Sequence, residues 1–126
     1  MTFKSLLPLC AASALLLSGL PAQAVSAPRD GFAVMNADGT LVRGSSNVNP
    51  SKHLAGSGVY QVFFDHSLSK CAFVASLGSS DTTPPTQGFL TVEPGTGAGQ
   101  HTMIVVNTFD VSGQPADFGF HAIARC

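Results

Sequence analysis

The 126-residue sequence contains six basic and seven acidic residues and has a formal charge of −1 at pH 7. Binding to nucleic-acid phosphates requires clustered Lys and Arg, and here these residues are scattered singly, so the composition argues against a nucleic-acid partner. The length fits one domain with a single modest core.

The first 24 residues have the pattern of a secretory signal peptide. Lys4 supplies a positive charge, residues 6–20 form an apolar core, and residues 22–24 (Ala-Gln-Ala) match the small residues that signal peptidase recognises. We expect residues 25–31 to be a flexible lead-in and residues 32–126 to form the domain. This predicts an exported protein, periplasmic or extracellular, with no membrane span.

The remaining sequence has the two-residue periodicity of β-strands and no amphipathic helical stretch. Asn36-Ala37-Asp38-Gly39 predicts a hairpin turn, and the polar composition of residues 44–58 predicts a loop. The predicted strands are residues 32–35, 40–43, 59–64, 71–77, 88–93, 101–109 and 118–126. The fold expected is all-β, a small antiparallel β-sandwich or jelly roll of about seven to eight strands.

Two cysteines remain after the leader, which contains Cys10, is removed. Cys71 and Cys126 fall on the more apolar, core-facing side of their predicted strands. An oxidising compartment favours a disulfide between them, which would close a loop of roughly 55 residues. We expect the strands to be neighbours, or to face each other across the core, with Cα atoms about 4.4–6.8 Å apart.

Several strands are apolar on both faces, which a two-layer sandwich does not require. Val59, Phe63, Val74 and Ile123 lie on the faces opposite the predicted core. Two interpretations stay open. Either the 44–58 loop covers one sheet, or these residues form a subunit interface.

The polar residues do not form a recognisable site. His53, His66, His101 and His121 lack the spacing that would direct two of them to one metal ion. We therefore predict no catalytic residue, no metal ligand and no cofactor.

Several motifs carry a family resemblance: Gly58-x-Tyr60-x-Val62-x-Phe64, Cys71-Ala72-Phe73-Val74-Ala75, Thr108-Phe109-Asp110 with Gly113, Pro115-Ala116-Asp117, and Phe120-His121-Ala122-Ile123 before Cys126. Together they resemble a recurring bacterial secreted β-domain that is similar to the terminal head modules of phage tail fibres and collagen-like stalks. The resemblance covers about residues 58–126. It implies a jelly-roll-like sandwich, often trimeric, with a binding or structural role.

Two hypotheses for function follow. The first is a non-catalytic module that self-associates, with a trimer favoured, or binds a protein or glycan ligand. The alternative is a small secreted hydrolase whose site is assembled on loops from His53, His66, Asp65 or Asp81.

Overall fold

The computed structural model describes residues 29–95 and 102–126. The predicted signal peptide lies outside these residues, as do most of the predicted lead-in and the predicted strand start at His101. The described part contains eight strands: β1 (Gly31–Met35), β2 (Leu41–Gly44), β3 (Val48–His53), β4 (Val59–Phe64), β5 (Ala72–Leu77), β6 (Gly88–Pro94), β7 (Met103–Asp110) and β8 (Phe120–Arg125).

The strands form two four-stranded antiparallel sheets, which confirms the predicted small β-sandwich. Sheet A has the order β2-β1-β8-β5, and sheet B has the order β3-β4-β7-β6. Because β8 lies between β1 and β5, the two ends of the described domain meet in the centre of sheet A.

The core lies between the two inner faces and follows the alternation of the strands. The buried apolar residues that form this core cluster are Ala33, Met35, Tyr60, Val62, Phe64, Leu68, Ile104, Val106, Phe120, Ala122 and Ala124. Tyr60 of sheet B meets Phe120 of sheet A edge to face, with ring centroids 5.0 Å apart. The Tyr60 hydroxyl donates a hydrogen bond to the Ala37 carbonyl, so its one polar atom is satisfied inside the sandwich.

The hairpin predicted at residues 36–39 is present between β1 and β2. The Gly39 amide donates to the Asn36 carbonyl, and Gly39 has a φ of 84°, a conformation that glycine adopts without steric cost. The Asp38 carboxylate accepts the Thr40 amide and closes the turn from the other side.

The prediction of a loop over residues 44–58 was wrong for its central part, which forms β3. This strand pairs with β4 at the edge of sheet B, with an irregularity in register between Asn49 and Lys52. Pro50 falls within that irregularity, where a missing backbone N–H is tolerated. The segment therefore extends sheet B and does not cover the outer face of a sheet.

Candidate functional site

An apolar row crosses the outer face of sheet A. Phe32 of β1 pairs with Ile123 of β8, which in turn pairs with Val74 of β5. Directly paired residues on one face have side chains in contact range. The exposed fractions of these side chains are 46% for Phe32, 51% for Ile123 and 65% for Val74. Three adjacent strands thus present one continuous apolar row to solvent.

Polar groups border this row at both ends of the strands. On one side, the Arg125 guanidinium forms an ion pair with the Asp30 carboxylate. On the other side, Arg43 donates a hydrogen bond of 3.1 Å to the Ser80 carbonyl oxygen. An apolar centre with a polar rim is the usual composition of a protein interface.

The four predicted interface residues divide between the two sheets. Val74 and Ile123 are paired on sheet A, whereas Val59 and Phe63 lie on the outer face of sheet B. Phe63 is half-buried, and the Lys52 ammonium lies 5.5 Å from the centre of its ring. The four residues therefore cannot form one contiguous patch.

The outer face of sheet B is interrupted by polar side chains. Asn107, at its centre, donates hydrogen bonds to Thr91 and Glu93 on the adjacent strand. Phe89, which is 48% exposed, stacks on Phe109 with ring centroids 5.0 Å apart. Each aromatic group here has a local partner, so sheet A has the more continuous apolar face.

The predicted disulfide is present between Cys71 and Cys126. The Cα atoms are 4.2 Å apart, slightly less than the expected 4.4 Å minimum, and the two residues adjoin the paired strands β5 and β8. The Cys126 amide also donates to the Asp30 carboxylate, so this end of β8 is anchored by a covalent bond and a hydrogen bond.

His66 lies directly against this disulfide. Its side chain is only 6% exposed, and its Nδ1 atom is 2.9 Å from Oδ1 of Asp65. Its Nε2 atom is 3.7 Å from Sγ of Cys126. The sequence predicts that His66 lies beside Asp65, but no contact between these residues and the cysteines was predicted from it. Although Cys71 follows His66 by only five residues, the contact with Cys126 depends on the long-range pairing of β5 with β8.

The other residues of the hydrolase hypothesis lie elsewhere. Asp81 accepts hydrogen bonds from the Ser79 hydroxyl and the Thr83 amide, which lower its pKa to about 2 and close a local turn. His53 is buried against Tyr60, with which it stacks at a centroid distance of 4.1 Å. Of the four residues, the structure brings together only His66 and Asp65.

His53 belongs to a buried polar cluster with Asp117. Its Nδ1 atom is 2.8 Å from the Val59 carbonyl oxygen, and its Nε2 atom is 3.1 Å from Oδ2 of Asp117. The Nε2 contact is close, but its direction is not that of a hydrogen bond, which leaves Nε2 without a hydrogen-bond partner among the described residues. The cluster joins β3 to the segment before β8.

Asp117 holds the turn between β3 and β4. Its two carboxylate oxygens accept the amides of Gly56, at 2.6 Å, and Gly58, at 2.8 Å. Partial burial raises the pKa of Asp117, but these hydrogen bonds and His53 outweigh it, so the pKa lies below its usual value. Burial also raises the pKa of Tyr60, to about 12, with the Asp117 charge adding to the effect.

A cleft of about 420 Å³ opens at one end of the sandwich. Three connections line it: the β1–β2 turn, the β5–β6 segment that contains Pro84 and Pro85, and the segment with Phe118 before β8. Both polar and apolar groups face the cleft, so it could hold a small ligand or part of a larger one.

Comparison of the chain with protein-family models, curated proteins and solved structures found no significant match. Within residues 29–95 and 102–126, no helix is long and apolar enough to cross a membrane.

Proposed function

We propose that the protein is an exported, non-catalytic structural module that self-associates through the outer face of sheet A. The observation that supports this most strongly is the exposed row of Phe32, Ile123 and Val74, aligned by the register of three adjacent strands. Contiguous apolar surface with a polar border is a recognised mark of an interaction surface.

The arrangement of the row favours a second copy of the chain as its partner. Ile123 is central, with Phe32 on one side and Val74 on the other. When two such faces meet with the rows reversed, the large Phe32 ring of each copy lies against the smaller Val74 of the other. A trimer, which the resemblance to stalk head modules favours, stays a prediction, whereas this face suits a pair.

The strength of association follows from the size of the row. Each copy contributes three side chains that are already partly buried, and association must offset the loss of translational and rotational freedom. We therefore expect weak, concentration-dependent association.

The test is a matched pair of charge substitutions. Ile123→Lys places an ammonium in the middle of the row, whereas Val111→Lys places one on the β7–β8 connection, where Val111 is 75% exposed and away from the row. Light scattering at a high protein concentration should give a monomer mass for Ile123→Lys and an oligomer mass for Val111→Lys. Equal masses for the two variants would contradict the proposed face.

A second candidate function is ligand binding at the cleft, supported by its volume and its three-loop lining. The ligand class that we propose is a protein segment or a glycan. Thr86→Arg would fill the cleft, whereas Thr82→Arg lies on the same connection outside the lining. On a glycan array or in a pull-down, loss of a binding signal in Thr86→Arg alone would support this site, and equal signals would contradict it.

A further inference from the structure

We propose that reduction of the Cys71–Cys126 disulfide converts this corner of sheet A into a site for one Zn²⁺ ion, bound by the two thiolates and by Nε2 of His66. This inference is independent of the proposed self-association, because it uses none of the apolar row.

The three ligand atoms are already close together. One ligand atom from each of His66, Cys71 and Cys126 lies within 4.8 Å of the other two. In a tetrahedral zinc site, with bonds of about 2.3 Å to sulfur and about 2.0 Å to nitrogen, sulfur and nitrogen are roughly 3.6 Å apart. The observed separation between Nε2 and Sγ of Cys126 is 3.7 Å. This pair of atoms already has the spacing that zinc requires.

Breaking the disulfide allows the two sulfur atoms to reach the separation that zinc requires. Two thiolates on one tetrahedral zinc ion are roughly 3.8 Å apart, so the sulfur atoms must move away from each other. Rotation about the Cα–Cβ bonds can provide this movement without a change in the pairing of β5 with β8. Cys126 is exposed, which leaves a path for the ion and room for water as a fourth ligand.

Asp65 prepares His66 for this role. A carboxylate only accepts hydrogen bonds, so Nδ1 of His66, 2.9 Å from Asp65, carries the hydrogen. In the neutral ring, the lone pair is then on Nε2, the atom that faces the sulfurs. A carboxylate on the far nitrogen is the usual arrangement that orients a zinc-binding histidine and increases its basicity.

The chemistry is balanced by a dithiol reductant. The dithiol transfers two electrons and two protons to the disulfide, so that Cys71 and Cys126 become thiols and the donor becomes a disulfide. Zn²⁺ then displaces one proton from each thiol, and two thiolates neutralise its charge. Because protons are released, affinity should increase with pH.

The experiment uses the exported protein reduced with a phosphine, which is not a thiol and does not compete as a thiolate ligand. Zinc is titrated in competition with a chromophoric chelator, and Co²⁺ is used as an optical probe for thiolate coordination. We expect one ion for each reduced chain and no binding to the oxidised chain.

Variants distinguish this site from general binding to free thiols. Asp65→Asn, which removes only the orienting carboxylate, should weaken binding by about 10–100-fold. His66→Ala removes a direct ligand and should weaken binding by more than Asp65→Asn does. His121→Ala is the matched control, because His121 contacts the Ser79 carbonyl and not the sulfurs. Its affinity should equal that of the unaltered protein.

Circular dichroism follows folding in the same samples. If the reduced chain stays folded, absence of one-to-one binding or equal affinity in His66→Ala would overturn the proposal. If the reduced chain unfolds, Zn²⁺ should restore the β-sheet spectrum of the unaltered protein but not of His66→Ala. Failure of that restoration would also overturn it.

Discussion

At the scale of single residues, Asp117 stabilises a turn in a distant part of the chain. The β3–β4 turn places two amide groups, those of Gly56 and Gly58, where no strand can accept them. Both hydrogen bonds go to Asp117, about 60 residues further along the chain. An unsatisfied amide that is removed from water costs about 1–3 kcal/mol.

We predict that Asp117→Ala lowers the free energy of unfolding by about 1–3 kcal/mol at pH 7, because the buried Gly58 amide loses its acceptor, whereas the exposed Gly56 amide can bind water instead. Asp117→Asn keeps one side-chain oxygen as an acceptor, so its free energy of unfolding should lie between those of Asp117→Ala and the unaltered protein. Urea unfolding measures both. Equal stability of Asp117→Ala and the unaltered protein would contradict this role.

The same carboxylate makes a pH-dependent contribution. Its pKa is lower in the folded protein than in the unfolded chain, so the unfolded chain binds more protons between the two values. The stabilisation should therefore be complete above about pH 4, the pKa of an unperturbed Asp, and decrease as the pH falls through the folded-state pKa. The difference in free energy of unfolding between Asp117→Ala and the unaltered protein should therefore decrease as the pH is lowered. A difference that grows in acid would contradict this prediction.

At the scale of elements, alternation was sufficient to predict strands with a buried face. It placed Tyr60, Val62 and Phe64 on one face of β4, and Phe120, Ala122 and Ala124 on one face of β8, and all six are core residues. It did not predict β3, whose sequence VNPSKH is polar and contains a proline. As an edge strand β3 is held by backbone pairing on one side only, a position that tolerates polar residues and proline and so carries no hydrophobic signal.

The β3–β4 turn provides a matched test of backbone geometry. Gly56 and Gly58 both have positive φ, 79° and 63°. A Cβ at Gly56 would meet no atom within 4 Å, whereas at Gly58 it would collide with the Thr108 carbonyl oxygen. Gly56→Ala should lower the free energy of unfolding by about 1–2 kcal/mol, because the alanine must adopt a left-handed conformation but meets no other atom. Gly58→Ala should cost clearly more, because the backbone must also move.

Denaturant unfolding of the two glycine variants, each measured beside the unaltered protein, gives the comparison. Equal losses of unfolding free energy in the two variants would contradict this prediction. They would mean that the turn can move away from β7 at no cost when a Cβ is added at Gly58, next to Thr108.

At the scale of the whole molecule, the disulfide ties β8 to β5 across 55 residues of sequence. In the chain-entropy account of disulfides, a loop of this length stabilises the folded state by about 4 kcal/mol. Cys126→Ser should therefore lower the free energy of unfolding by about that amount. A loss below about 1 kcal/mol would contradict this prediction, since it would mean that the unfolded chain has little conformational freedom to gain when the disulfide is absent.

The candidate interaction face could be predicted only in part from the sequence. Val74 and Ile123 could be assigned to outer faces by alternation, but strand parity does not say which sheet a strand joins. The neighbour relation of Phe32, Ile123 and Val74 depends on β8 lying between β1 and β5. That order comes from long-range pairing, which no local pattern encodes. For the same reason, Val59 and Phe63 were grouped with residues on the opposite sheet.

Sedimentation equilibrium of the disulfide-bonded protein over a wide micromolar concentration range tests the central claim most directly. Self-association through sheet A predicts an average mass that rises with concentration towards two copies of the chain. The same runs on Ile123→Lys should give the mass of one copy throughout. A single-copy mass for the unaltered protein at the highest concentration would contradict the proposed function.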